Sequence, residues 1–255
     1  MVKMSAFPVV IAHRGSNRQA PENSRQAFRL AVLQGARRIE TDLQWTKDHI
    51  PVICHDDNMF RTFSVNLQIS RQNFSSLRSG ARRANGETIL TLQEVLEEFL
   101  PVVELNLEIK GKRTETEIQS LITLVRQSSA PENVILSCFD WQPLFLLKEM
   151  APELDRAVLW GRDTLKRYPW YFLNPVSMMQ KCHSRIFHPE ASCLNPYLMK
   201  IARRYGWQVF PWVPLKGEDA LTREKLWSKM ISMGIDGLCT NEPKLFSEWI
   251  KNYQR

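Results

Sequence analysis

The sequence predicts an α/β fold, and within that class a TIM (β/α)8 barrel with a small inserted cap segment after the strand that runs into His55. Three observations carry this prediction. Short apolar, β-branched runs recur along the chain with helix-compatible stretches between them, the alternation that yields parallel strands and crossover helices. The length, 255 residues, is typical of one such barrel rather than of two smaller domains. Finally, polar residues able to do chemistry stand where the apolar runs finish, and strand ends are where α/β folds bind ligands.

Strands are expected at 8–13, 37–43, 51–55, 103–109, 134–139, 156–161, 185–188, 208–213 and 236–240. Helices are expected at 23–35, 114–128, 141–150, 195–205 and 218–233. The first helix has a start signal in PENS and a stop signal in Gly35, because a short polar side chain caps the first turn and glycine ends the last. Residues 57–100 break the rhythm: NMFRTFS, the polar RQNFSSLRSGARRANGE and the helical TLQEVLEEFL stand before the next strand. A long structured insertion at a strand's carboxyl end commonly covers an active site. The whole of 1–255 is thus expected to form one barrel domain with an insertion at about 57–100.

Composition narrows the partners. With 44% hydrophobic and 24% charged residues, the chain has the make-up of an ordinary globular protein able to bury a core. The formal charge of +7 favours anionic partners, yet pairs such as Arg37-Arg38, Arg82-Arg83 and Arg203-Arg204 are scattered. No basic stripe interleaved with aromatics points to nucleic acid. Five cysteines without a CxxC pair suit a reducing compartment and argue against a disulfide framework. No apolar stretch approaches the ~18 residues that would cross a bilayer, and the first strand begins too early to leave room for a secretory segment. A cytoplasmic location without stable membrane insertion is therefore expected, with the oligomeric state open.

The chemistry-bearing clusters are VVIAHRG (9–15), PENS (21–24), RIETDLQ (38–44), VICHDD (52–57) and LNLEIKG (105–111). Residues two apart in a strand face the same side, which pairs Glu40 with Asp42 and Glu108 with Lys110. Carboxylates converging from neighbouring strand ends repel unless something positive lies between them. One hard divalent cation, Mg2+ or Ca2+, bound by oxygens of Glu40, Asp42 and Glu108, meets that need. Structural ion pairs to Arg37, Arg38 or Lys110 are the alternative.

His13 and His55 end two different runs. A neutral imidazole near its ordinary pKa takes or gives a proton at physiological pH, so one can deprotonate an attacking hydroxyl while the other protonates a leaving oxygen. Such groups contribute roughly 3–5 kcal/mol each, against the ~8–23 kcal/mol an enzyme supplies. The remainder is expected from the cation, Arg14 and Lys110 acting on phosphoryl oxygens, Arg14 through a fork that engages two oxygens at once. Which histidine is acid and which is base stays open. His49, in the turn TKDHIP, is expected in solvent, and His188 as a satisfied structural group, with a place at the barrel mouth as the alternative.

HRG, then PEN, ExD, a run ending HD, and NLEIK together resemble the glycerophosphodiester phosphodiesterases of the bacterial cytosolic type. The likeness continues through DDNMFRT, TILTLQEVLEEF, VILSCFDW, SRIFHP, GWQVFPWVP and GIDGLCTNEP, nearly the whole chain. It implies a TIM barrel with a small cap, one divalent cation on Glu40, Asp42 and Glu108, acid–base roles for His13 and His55, and phosphate contacts from Arg14 and Lys110. It also implies hydrolysis of a small glycerophosphodiester to glycerol 3-phosphate and an alcohol, by direct attack of water or through a cyclic phosphate. Two departures stand out. Where many relatives carry a WTVN-like run, this chain reads WVPLKGED (212–219), which keeps Trp212 as a wall for the glycerol pocket but bears on leaving-group recognition. His49 stands where a glycine is usual, and histidine tolerates a left-handed turn better than most residues. A lysophospholipase D is the alternative activity, with LWGRDTLKRYPWYFLNP (159–175) as its candidate apolar groove.

Overall fold

The structure, a computed structural model, describes residues 8–168, 174–214 and 220–253. Parts of the aromatic stretch 159–175 and of WVPLKGED, and the first residues of the helical stretch 218–233, lie outside the described residues. Eight strands run parallel around a nearly closed barrel: β1 Val9–His13, β2 Arg38–Trp45, β4 Glu104–Ile109, β5 Val134–Cys138, β6 Asp155–Trp160, β7 Ile186–Pro189, β8 Gln208–Val209 and β9 Gly237–Thr240. Helices cross between them, so the outward faces of the strands and the inward faces of the helices share one large apolar core. The lumen is filled separately, by Ile11, Ile135, Ala157, Ile186, Phe210 and Cys239. Closure falls at Trp212, which bridges Glu190 beyond β7 on one side and Cys239 of β9 on the other.

One expected strand belongs elsewhere. The run at 51–55 forms β3, Pro51–Ile53, which pairs antiparallel with the end of β2 in a hairpin and is not a stave of the barrel. His49 sits in the hairpin turn with φ +60°, the left-handed conformation that a histidine tolerates and a β-branched residue would not. His55 therefore reaches the mouth from the loop after a hairpin strand rather than from a barrel strand.

The first helix forms as its signals require. Ser24 accepts a hydrogen bond from the Ala27 N–H as the N-cap of Arg25–Leu33, and Gly35 lies beyond its end with φ +83°. The 57–100 stretch divides in two. Its first part packs Met59, Phe63, Ile69, Leu77, Ala81 and Ile89 against Val52 of β3 and the following Cys54 in a small separate core. Its last part, the helix Leu92–Phe99, starts from a capping box between Thr91 and Glu94 and buries its apolar face in the main barrel core. Four cysteines are buried, Cys193 is half-buried, and all five are free. Among the described residues no helix is long and apolar enough to cross a membrane.

Candidate active site

Register brings the acidic residues together. β1 aligns His13 with Glu40, and β2 aligns Asp42 with Glu108, so alternation turns all four side chains into the barrel at its carboxyl end. Carboxylate oxygens of Glu40, Asp42 and Glu108, all buried, lie within 4.8 Å of one another. The chain then turns sharply. Arg14 has φ +55°, a sparsely populated conformation for a residue with a side chain, and its N–H meets Glu40 Oε2 at 3.1 Å. Gly15 follows at φ +79°, where an added Cβ would come within 2.7 Å of the Ala27 carbonyl carbon. Glycine in HRG is thus required by the close approach of the first helix.

The cations sort themselves between the two readings of the acids. Arg37 and Arg38 pair with Glu104, at 3.1 and 2.6 Å, and take no part in the site. Lys110 Nζ lies 2.7 Å from Asp42 Oδ1 and 2.5 Å from Glu108 Oε1. Arg14 Nε lies 3.1 Å from Asp42 Oδ2, and Asn23 donates to the same oxygen at 2.8 Å. Although burial alone would raise it, Lys110 and Arg14 hold the Asp42 carboxyl far below the usual range. Glu40 fares differently: burial, then repulsion from Asp42 and Glu108, pushes its carboxyl well above that range. Glu108 is raised as well, by burial first, with Lys110 opposing. Two cations thus leave three buried carboxylates short of positive charge. That shortfall, with an all-oxygen donor set, fits a hard divalent cation.

Both histidines are oriented by their Nδ1 atoms. His13 Nδ1 is 2.7 Å from Asn241 Oδ1. Asn241 Nδ2 donates to the Val213 and Pro214 carbonyls, at 3.3 and 3.1 Å, which leaves its oxygen as the acceptor for His13. Nδ1 of His13 therefore carries the proton, and Nε2 faces Glu40 at 3.8 Å. Burial, then Arg14, lowers His13 to about 3, so the ring is neutral and the approach to Glu40 is not an ion pair. His55 Nδ1 lies 2.6 Å from Asp56 Oδ1, and Gln44 donates to the His55 carbonyl at 3.0 Å.

One cavity of about 190 Å3 is lined by His13, Arg14, Glu40, His55, Glu108 and Lys110, and also by Trp212 and His188. Asp42 is fully buried behind them. All eight residues singled out in the sequence are therefore at this mouth. Trp212 packs edge-on against Phe139, ring centroids 5.6 Å apart, and both also line a larger adjoining cavity of about 470 Å3 that includes Asp140, Gly161, Tyr168 and Glu190. His188 lines the mouth while its Nδ1 bonds to the Phe210 carbonyl, and His49 is in solvent, 3.7 Å from Glu117.

Sequence reasoning missed the supports. Glu22 and Asn23 sit in PENS, a cluster marked in the sequence without a role for either residue, yet Asn23 holds Asp42 and Glu22 Oε1 accepts from Arg14 Nη1 at 3.1 Å. Asn241 lies in TNEP, 228 residues from its partner, and only folding reveals that pairing.

A mouth acidic at its floor and basic on its walls, at the carboxyl end of a parallel barrel, belongs with the barrel hydrolases that cleave esters of phosphoric acid. The profile of the Glycerophosphoryl diester phosphodiesterase family matches residues 13–245, and the chain belongs to that family. It is 32% identical over 250 residues to a glycerophosphodiester phosphodiesterase of Caldanaerobacter subterraneus subsp. tengcongensis, covering 92% of this chain and 95% of the relative. A human lysophospholipase D is 23% identical over 283 residues, covering 95% of this chain and 85% of the relative. Among solved structures, an Oleispira antarctica phosphodiesterase in complex with the product sn-glycerol-3-phosphate superposes with a TM-score of 0.82 at 26% identity, covering 96% of this chain and 97% of that one. The chain is a phosphodiesterase of the hydrolase class with a TIM-barrel fold.

Proposed function

We propose that the protein hydrolyses small glycerophosphodiesters to glycerol 3-phosphate and an alcohol, with His13 and His55 moving the protons and Glu40, Asp42 and Glu108 holding one divalent cation. The observation that carries this reading is the convergence of both imidazoles with Arg14, Lys110 and the carboxylates on one cavity of about 190 Å3. The Oleispira relative bound to glycerol 3-phosphate supports the product. A divalent cation on the three carboxylates supplies Lewis-acid polarisation of a phosphoryl oxygen.

The chain's own groups do the rest. Arg14 and Lys110 draw the phosphate into the mouth by charge and stay protonated: burial opposes this, but Asp42 raises both, with Glu22 reinforcing Arg14 and Glu108 reinforcing Lys110. His13, neutral and bare at Nε2, accepts the proton of the attacking hydroxyl. His55, whose Nδ1–H is held by the Asp56 carboxylate, presents Nε2 to the leaving oxygen and delivers a proton there. Trp212 closes one wall and fixes the glycerol side of the substrate.

The test is release of glycerol 3-phosphate from glycerophosphocholine by metal-stripped protein, with Mg2+ or Ca2+ added back. Product that appears only with the ion supports the whole reading, and product formed equally without it removes the cation. The human relative named a lysophospholipase D motivates a second substrate in the same assay. Cleavage of a detergent-solubilised lysophospholipid in clear preference to glycerophosphocholine replaces the first reading with that one.

A further inference from the structure

The insertion reaches back to the mouth through one side chain. Arg61, in the short helix Phe60–Phe63, donates from Nη1 and Nη2 to the two carboxylate oxygens of Glu22, each at 2.8 Å. Its Nε donates to Asp56 Oδ2 at 2.6 Å. Each of those carboxylates already holds a group of the site. Glu22 accepts from Arg14 at 3.1 Å, and Asp56 holds His55 at 2.6 Å. A continuous chain of charge-assisted contacts thus runs Asp42, Arg14, Glu22, Arg61, Asp56, His55, with the insertion's guanidinium at its centre.

We propose that Arg61 is a positioning residue, which ties the loop of Glu22 to the loop of Asp56 and so fixes Arg14 and His55 together without touching the substrate. The inference rests on the site proposed above. Glu22 precedes the first helix and Asp56 follows the β3 hairpin, so the two carboxylates arrive from separate parts of the chain. A planar guanidinium presents several donors in a rigid fork and can serve both carboxylates at once, whereas an ammonium is a point charge that cannot reproduce that geometry. Among the contacts of the described residues, loss of Arg61 leaves Glu22 with Arg14 and Asp56 with His55, and nothing in that chain then ties one loop to the other. The side chain is 47% exposed, and exposed ion pairs add little to folding. Its contribution therefore belongs to geometry, and the insertion acts as a brace for Arg14 and His55.

The experiment compares Arg61→Ala and Arg61→Lys with the wild type by steady-state kinetics on glycerophosphocholine, by melting temperature, and by the NMR signal of the His55 Nδ1 proton. Small displacements of reacting groups cost on the order of 10²-fold. Arg61→Ala should lose about that much in kcat with KM and melting temperature changed far less. Arg61→Lys should recover only part of the loss, added guanidinium ion should restore activity to the Ala variant several-fold, and the His55 proton signal should broaden or vanish. Activity near wild type with the His55 signal intact overturns the proposal. So does a fall in melting temperature that accounts for the lost activity and is not relieved by guanidinium. Should the wild type cleave no diester, the functional reading falls, and the His55 signal still decides whether Arg61 positions that ring.

Discussion

Asn241 and His13, at opposite ends of the chain, meet at 2.7 Å, and the amide oxygen of one fixes the tautomer of the other. Because the Asn241 amide is itself anchored to the Val213 and Pro214 carbonyls, it cannot flip without losing both bonds. Replacing Asn241 with Leu removes the acceptor and lets the imidazole rotate or exchange tautomers. Turnover should fall on the order of 10²-fold, while Asn241→Asp, which keeps an acceptor oxygen, should retain more. Kinetics of the two variants side by side check this. Equal losses would mean that the oxygen is not what matters.

His13→Ala and His55→Ala should each lower kcat by about 10²–10⁴-fold, the contribution of a positioned acid or base. Neither removal opens the main core, since both rings line the cavity, so circular dichroism and melting curves should match the wild type. Near-wild-type turnover in either variant excludes that residue from the reaction.

Legibility followed locality. The alternation of apolar runs, the strand-end clusters and the period-two pairing of Glu40 with Asp42 are local, and the barrel and the mouth could be read from them. Three features were not local. The β3 run has a strand's composition, but its antiparallel pairing depends on the tight turn at His49. Helix Leu92–Phe99 falls within the 57–100 insertion in sequence, while its apolar face belongs to the barrel core. Arg37, Arg38 and Lys110 were equivalent candidates as partners for the acids, and only register shows that the first two meet Glu104 at the other end of β4.

Metal removal should be visible without any substrate. Burial first, and then repulsion from neighbouring carboxylates, Asp42 in both cases, holds Glu40 and Glu108 above the usual carboxylate range, so at neutral pH they oppose folding of the metal-free protein. Glu40→Gln removes one of these charges. The metal-free variant should melt a few degrees above the metal-free wild type, at about 2–4 °C per kcal/mol relieved in a chain of this size. In the wild type, an ion at about 100 times its Kd should stabilise by roughly 2.7 kcal/mol, and Glu40→Gln or Glu108→Ala should shrink that gain together with activity. An unchanged ion titration in both variants removes the carboxylates as ligands.

A second electrostatic prediction concerns the joint between insertion and barrel. Arg78 in the insertion grips both oxygens of Glu94 at 2.8 Å, and Glu94 is also the third residue of the helix that Thr91 caps. The bonds from Arg78, against the opposing effect of burial, lower the Glu94 carboxyl to about 2. A depressed carboxylate contributes stability that is complete above its unfolded pKa and is lost as pH falls through its folded value. The window here runs from about 4.5 down to about 2. Glu94→Gln keeps a side chain able to complete the capping box and deletes only the charge. At pH 7 the variant should be less stable by about 1 kcal/mol, the upper range for a pair this exposed to solvent. The difference should close as pH drops through that window, and Arg78→Met should behave alike. Urea melts of both variants and the wild type at pH 7, 4 and 2.5 measure it. A gap between Glu94→Gln and wild type that persists at the lowest pH would place the effect in the cap rather than in the ion pair.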